Sequence, residues 1–445
     1  MQSVDFPLVP EQLKLFWKTP LYRNAVYLII GNGMGALLGF FYWAVAARLY
    51  SAEEVGTASA IISAIGMLAA FASLGLGLGL VRFLPETREQ GNDLINSSLT
   101  LVLAASIVTA IVFILGTNFW SKELSFLRDN PVYFLLFVVF TAGTAWGNLI
   151  DNISVSERRS VFVTLRSLIY SVGKLGLVIL MAGILNSSGI VSSWGIATII
   201  SILLIGVYCL PRIRRGYIPR PHWHWQQTRA ILPYSISNNL SVMLWSLPTW
   251  ILPLMVLNEL GAESNANFYI AWTIGLALAM VPTSVATSVF AEGSFNETGL
   301  EAKALRSISL GIFITLPIIL LLLLFGGKLL MLFGNDYVTN SSRLLQIVTL
   351  TLFPLTINQV YFSVLRVRKR MKMLLATATL ITIMTLALSL MLLTEIGILG
   401  AGIAWLAGQT LVAVWAMFEQ HWWTKLVHQM GTMISKGIHV NLKAV

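Results

Sequence analysis

Charge is what this sequence has least of. Asp, Glu, Lys and Arg make up 11% of its 445 residues, where soluble domains carry roughly 25%. Acidic side chains are the scarcest, 19 against 29 basic, giving a net charge of +10. The single cysteine, Cys209, allows no internal disulfide. Neither a His/Cys cluster at metal-ligand spacing, nor a nucleophile set beside a base, nor a Walker sequence is found. A catalytic or ATP-driven reading therefore has no residues to stand on, and neither cofactor nor metal is expected. Gly31-Asn-Gly33-Met-Gly35 and Gly75-Leu-Gly77-Leu-Gly79 lie inside apolar stretches. They read as packing or hinge glycines, because a phosphate loop needs a preceding strand and a basic helix start. The first twenty residues lack an apolar core before a small-residue cleavage site, so a cleavable signal is not expected.

What the chain does have is length of apolar sequence, 56% of all residues. Twelve stretches stand out: 22–48, 55–81, 95–117, 131–150, 160–184, 190–210, 231–257, 265–290, 307–326, 343–365, 373–394 and 397–420. Each is long enough to cross a ~30 Å hydrocarbon core as a helix. Open strands are excluded there by unpaired peptide groups. With this count, loops at one face hold 22 basic residues and loops at the other hold 5. The positive-inside rule then puts both termini in the cytoplasm of a multi-pass protein of the cytoplasmic membrane. The net positive charge reads as topology and attraction to anionic lipid, and no nucleic-acid partner is expected.

The second half repeats the first at an offset of about 210 residues. Ala52-Glu53 recurs as Ala262-Glu263, Arg158-Arg159 as Lys369-Arg370, and the spacing Gly189…Trp194 as Gly400…Trp405. An even number of spans per half starts both halves on the same side, which makes the repeat parallel. The expected organisation is an interfacial amphipathic segment over 1–21 (its helix at 11–18), a first lobe over 22–210 and a basic cytoplasmic linker over 211–230. A second lobe over 231–420 and a cytoplasmic tail over 421–445 follow. Two such lobes suit alternating access around a midplane site. Pro248, Pro253, Pro282 and Pro354 predict kinked helices in the second lobe.

Lys174, in Ser171-Val-Gly-Lys174-Leu-Gly176, lies near the middle of a span, where a cation costs ~2.5–3.5 kcal/mol on insertion scales. It reads as a cation facing a cavity and meeting an anionic substrate; the plainer alternatives are snorkelling or a structural pair with a carboxylate. Arg166, two turns earlier, either extends a basic track or anchors at headgroup level. Arg48 and Arg82 end the first two spans and also read as interfacial anchors. Polar residues inside spans include Asn32, Asn148, Asn152, Asn238, Asn239, Asn358, Gln359 and Gln409. Interhelical hydrogen bonding is their plain reading. Taken with Trp146, Trp245 and Trp250, they also suit a sugar-binding cavity. Asp151 and Glu292, at span ends, read as solvated or paired with loop cations.

One stretch carries a family resemblance. Arg23-Asn24 through Gly39-Phe40, then Ala46-Ala47-Arg48-Leu49-Tyr50-Ser51-Ala52-Glu53-Glu54-Val55-Gly56-Thr57, resembles the first helix and loop of Wzx-type polysaccharide flippases. Leu74-Gly75-Leu76-Gly77 through Arg82-Phe83-Leu84-Pro85-Glu86 resembles their second helix. These belong to the multidrug/oligosaccharidyl-lipid/polysaccharide exporter superfamily. The resemblance implies an all-α integral membrane fold, twelve transmembrane helices in two parallel-repeat six-helix bundles forming a V-shaped transporter. It implies translocation of a lipid-linked oligosaccharide, with membrane lipids and other membrane proteins of polysaccharide assembly as partners. It also implies a cationic cavity, a role that falls here to Lys174, Arg166, Arg48 and Arg82. Asn32, Asn148, Asn239, Gln359, Trp146 and Trp245 would line the glycan's path. The multidrug branch often keeps a carboxylate inside its first or seventh span, and neither interior holds one here. A membrane ligase or polymerase would need a large outer loop with arginine and histidine; the longest outer loops, 118–130 and 327–342, contain no histidine.

Overall fold

In lipid a chain has no water to satisfy its peptide groups, so an apolar run of this length closes its hydrogen bonds within a helix. The computed structural model describes residues 20–87, 91–182, 188–214, 217, 220, 224–295 and 297–422. The helix expected over 11–18, much of the 211–230 segment and the tail beyond 422 lie outside the described residues. Among the described residues all regular structure is helical.

Eleven helical runs among the described residues are long and apolar enough to cross a membrane. One of them, Thr228–Ser294, has 67 residues, about 100 Å of helix and roughly three hydrocarbon thicknesses. Its backbone breaks at Gly261 (φ 84°, ψ 174°), a conformation glycine adopts without steric cost. That run therefore supplies the seventh and eighth crossings, giving the twelve that the apolar stretches predict. The protein is an all-α, multi-pass membrane protein. Phe313 and Leu324, 76% and 75% exposed, show the apolar exterior that such a protein turns to lipid.

Local chemistry sets the ends of the helices. Asn130 caps the fourth span (Pro131–Ser156), accepting from Val132 N–H at 2.9 Å with Pro131 at the first helical position. Ser51 and Glu54 form a reciprocal capping box at the start of the second span, with contacts of 3.2 and 2.8 Å. That span runs as Ala52–Ala72 and Leu76–Phe83, interrupted where Leu74 and Gly75 take φ of 48° and 70°. The proline expectation holds at two positions. Helical breaks precede Pro282 and Pro354, whereas Pro248 and Pro253 lie in a run whose sole non-helical residue is Gly261.

The chain divides into two compact units, residues 1–243 and 244–445. The cut lies within the seventh span, because Ser235 and Asn239 pack against Gly75 and Gly79 of the second span. The internal repeat survives as backbone geometry. Arg158 and Lys369 are both left-handed, at φ 56° and 55°. In each turn the next residue's N–H reaches back to a helix carbonyl at 2.9 Å: Arg159 to Ser154, and Arg370 to Leu365. Each unit also ties two spans with a threonine. Thr164 donates to Tyr27 O at 2.6 Å in the first, and Thr382 to Leu244 O at 2.6 Å in the second. Lipid tails are as apolar as the side chains, so close packing and such bonds hold helices together in a bilayer.

Candidate functional site

The fifth span, Val161–Ala182, carries two cations into the interior of the first unit. Lys174 is 7% exposed, the one charged side chain classed as buried among the described residues. Its ammonium lies 4.8 Å from the ring centroid of Tyr42 and 4.6 Å from that of Tyr170, and donates a long 3.5 Å bond to the Tyr170 hydroxyl. Among the described residues no carboxylate pairs with it. Tyr170 is one helical turn before Lys174, so the helix itself sets that contact. Tyr42 comes from the first span and is fully buried. Its hydroxyl donates to Ile190 O at 2.8 Å and lies 3.1 Å from Ser193 Oγ, tying it to the sixth span. Trp194 stands edge-on to Tyr170 at 6.4 Å. At Gly39 a Cβ would lie 3.9 Å from the ammonium, so this glycine leaves the fourth side of the box open.

Arg166 has a different environment. It forms a two-pronged ion pair with Asp151 of the fourth span: Nε to Oδ1 at 2.6 Å and Nη2 to Oδ2. Side-chain exposures of 14% and 21% put both partners largely inside the protein. Gly147, where a Cβ would stand 3.2 Å from the guanidinium, makes room for it.

A polar group collects around the broken second span. Asn239 lies against Gly75, Ser235 against Gly75 and Gly79, and Asn152 against Gly77. Asn152 donates to the Asn148 carbonyl at 2.8 Å, while the Asn148 side chain is exposed. Arg82 lies over Tyr234 at 4.5 Å and Phe83 at 5.3 Å. Arg48 is exposed at the end of the first span, and Asn32 is exposed midway along it. Trp146 spends its indole N–H on Leu99 O at 2.9 Å. In the second unit Trp245 packs on Phe362 and Trp405 at 5.2 and 5.9 Å. Gln359 is half-buried beside Asn358, whose amide is taken by Gln409 at 2.7 Å. Of the residues singled out from the sequence, the first unit thus holds Lys174, Arg166, Arg48, Arg82, Asn32, Asn148, Trp146 and Asn239. The second holds Trp245 and Gln359. Tyr42, Tyr170 and Asp151 complete the charged sites; the Tyr170 spacing is legible in the sequence, while Tyr42 and Asp151 arrive from other spans.

Part of the basic segment is anchored to the first unit. Tyr217 donates to Asn96 Oδ1 at 2.8 Å, Arg214 pairs with Glu157 at 3.0 Å, and burial pushes the Tyr217 phenol above its ordinary range. Among the described residues no group of three or more His, Cys, Asp or Glu could hold a metal.

Twelve apolar helices built as a repeated pair, with an unneutralised cation inside one unit, make up a multi-pass helical membrane fold. The model of the family described as polysaccharide biosynthesis protein matches residues 21–290, and the chain belongs to that family. A second family model, MatE, matches residues 239–391. Among solved structures the chain resembles the lipid II flippase MurJ in an inward closed conformation, with TM-score 0.74 and 14% identity, covering 89% of this chain and 87% of that one. It also resembles an inward-facing multidrug resistance MATE family transporter of the MOP superfamily, with TM-score 0.66 and 16% identity, covering 91% and 99%. At these identities the likeness establishes the fold. No curated protein matches the sequence.

Proposed function

We propose that this protein flips a lipid-linked oligosaccharide, of polyprenyl-pyrophosphate or dolichyl type, across the cytoplasmic membrane by alternating access, for surface polysaccharide or glycan assembly. Two lobes over 22–210 and 231–420, joined by the 211–230 linker, would carry the motion, with both termini cytoplasmic. The observation that carries this reading is Lys174: a buried cation facing two tyrosine rings and no carboxylate. A ring face holds an ammonium by about 0.5–2 kcal/mol. A pyrophosphate offers charge-assisted bonds roughly twice as strong as neutral ones. Lys174 is therefore free to exchange its tyrosines for the lipid's phosphates, which Arg166, occupied by Asp151, is not. The exposed amides of Asn32 and Asn148 and the half-buried Asn239 and Gln359 suit glycan hydroxyls. The MurJ likeness and the polysaccharide family support the same direction.

The test is a deletion strain, followed for lipid-linked glycan on the inner leaflet and for surface glycan. Precursor should accumulate and surface glycan should fall, with rescue by wild type and not by Lys174→Ala at equal protein level. Full rescue by Lys174→Ala would refute the role of this lysine. The MatE match over 239–391 favours a second reading, a cation-coupled multidrug exporter. Unchanged glycan with raised sensitivity to cationic dyes would select it. Against it, Asp151 is neutralised by Arg166 and Glu292 is exposed at a span end.

A further inference from the structure

The first unit contains a cavity of about 590 Å³ away from the lysine box, at the ends of spans two, four and six opposite the arginine-rich turns. Its volume falls within the ~300–1,000 Å³ range typical of small-molecule sites. Glu53, Glu54, Phe126, Tyr133, Phe137 and Ser192 are among its lining residues, and among the described residues no basic side chain lines it.

The walls are rigid. Phe126 and Tyr133 meet edge to face at 5.7 Å. Phe137 stacks on Phe113 at 5.5 Å, and Phe113 on Trp120 at 6.0 Å, so the ring turned to the cavity is fixed from behind. Glu54 is held by Ser51 N–H through one carboxylate oxygen. Ser192 is the informative residue. It is 6% exposed and lines the cavity, yet its hydroxyl makes no hydrogen bond to any described residue. Ser192 thus adds an unpartnered hydroxyl to the cavity lining, open to a polar ligand.

We propose that this cavity is a sugar-binding subsite that accepts neutral or amine-bearing sugars and excludes sugar acids. Aromatic faces pack on the C–H faces of pyranose rings, carboxylates accept from vicinal hydroxyls, and Ser192 supplies a further partner. Two carboxylates, in a lining whose described residues include no basic side chain, repel a uronate and attract a free amino sugar. The proposal rests on the flippase reading for its biological sense. With the arginine-rich turns cytoplasmic, the cavity opens on the far side, where the glycan head group emerges.

The experiment is saturation-transfer NMR on the full chain in lipid nanodiscs. The probes are a maltose trimer, a glucosamine trimer, a galacturonate trimer and tetraphenylphosphonium. The first two should receive saturation and the galacturonate trimer should not. Ser192→Phe, which fills the cavity, should weaken binding about tenfold or more, as loss of a central contact does. Glu53→Gln, at an exposed position, should admit the galacturonate trimer and weaken the maltose trimer by less than Ser192→Phe does. Equal transfer to acidic and neutral trimers overturns the proposal. So does binding of tetraphenylphosphonium alone, or sugar binding indifferent to both substitutions. Failure of the two readings is distinguishable. If no trimer binds while the deletion strain accumulates precursor, the subsite falls and the flippase stands. If trimers bind as described and no precursor accumulates, the subsite stands and the flippase falls.

Discussion

Arg166 and Lys174 lie two turns apart on one helix, and the first unit treats them in opposite ways. Arg166 is met by a carboxylate in two-pronged geometry, and Lys174 by the faces of two tyrosines. A guanidinium in a fork-to-fork pair is fixed in place; its removal leaves a buried, unpaired charge behind. An ammonium over π faces has no carboxylate to give up and is held by about 0.5–2 kcal/mol. One side chain therefore belongs to the scaffold, joining spans four and five, and the other, on the proposed reading, is stored within reach of a substrate. The difference lies in the neighbours that the helix presents to each cation.

Breaking the ion pair from one side should have the largest effect. Asp151→Ala strands the arginine and should lower stability by about 3–5 kcal/mol, read as thermal unfolding of the purified protein in nanodiscs. Asp151→Leu combined with Arg166→Leu removes both charges and should recover most of that loss. A double variant as unstable as the single would mean that the pair is not the scaffold element described.

Lys174→Met should do the reverse, leaving the unfolding temperature within about 2 °C, since a surplus buried cation adds little stability. Glycan export should fall at least about tenfold, the equivalent of 1.4 kcal/mol. The sharper variant is Gly39→Asp. A carboxylate grown from that position, whose Cβ would stand 3.9 Å from the ammonium, turns the lysine box into a second Arg166-like pair. Stability should hold or rise while export is lost. Export that survives Gly39→Asp would show that the charge of Lys174 is not used.

Much of this was legible in the sequence. Apolar length and loop charge predict twelve crossings. The repeat marked by Arg158-Arg159 and Lys369-Arg370 returns as a left-handed turn in both halves, a conformation that basic pairs do not announce. Neighbours that come from other spans were not legible. Arg166 and Asp151 are fifteen residues apart on different helices, and nothing local says that one consumes the other. Tyr42 is more than a hundred residues from Lys174, and its role depends on how spans one, five and six meet. Trp146 reads as a cavity aromatic, yet its N–H is spent on Leu99 O. Pro248 and Pro253 keep helical dihedrals around them, and the break in that run falls at Gly261.

The smallest expected effect separates the two tyrosines. Tyr170→Leu keeps the apolar bulk beside Lys174 and removes one π face, a loss of about 0.5–2 kcal/mol of cation stabilisation. Tyr42→Phe keeps the ring and removes the hydroxyl that reaches Ile190 O, a carbonyl that Ser193 Oγ also bonds at 2.8 Å, a loss of about 0.5–1.5 kcal/mol. If the rings hold the ammonium in store, Tyr170→Leu releases it and shifts the apparent affinity for the lipid-linked glycan, leaving the maximal rate close to wild type. Tyr42→Phe should lower the unfolding temperature and leave that affinity alone. Equal shifts from both would mean that the tyrosines act through helix packing, and the contrast between a fixed arginine and a stored lysine would then reduce to two ways of filling the same interior.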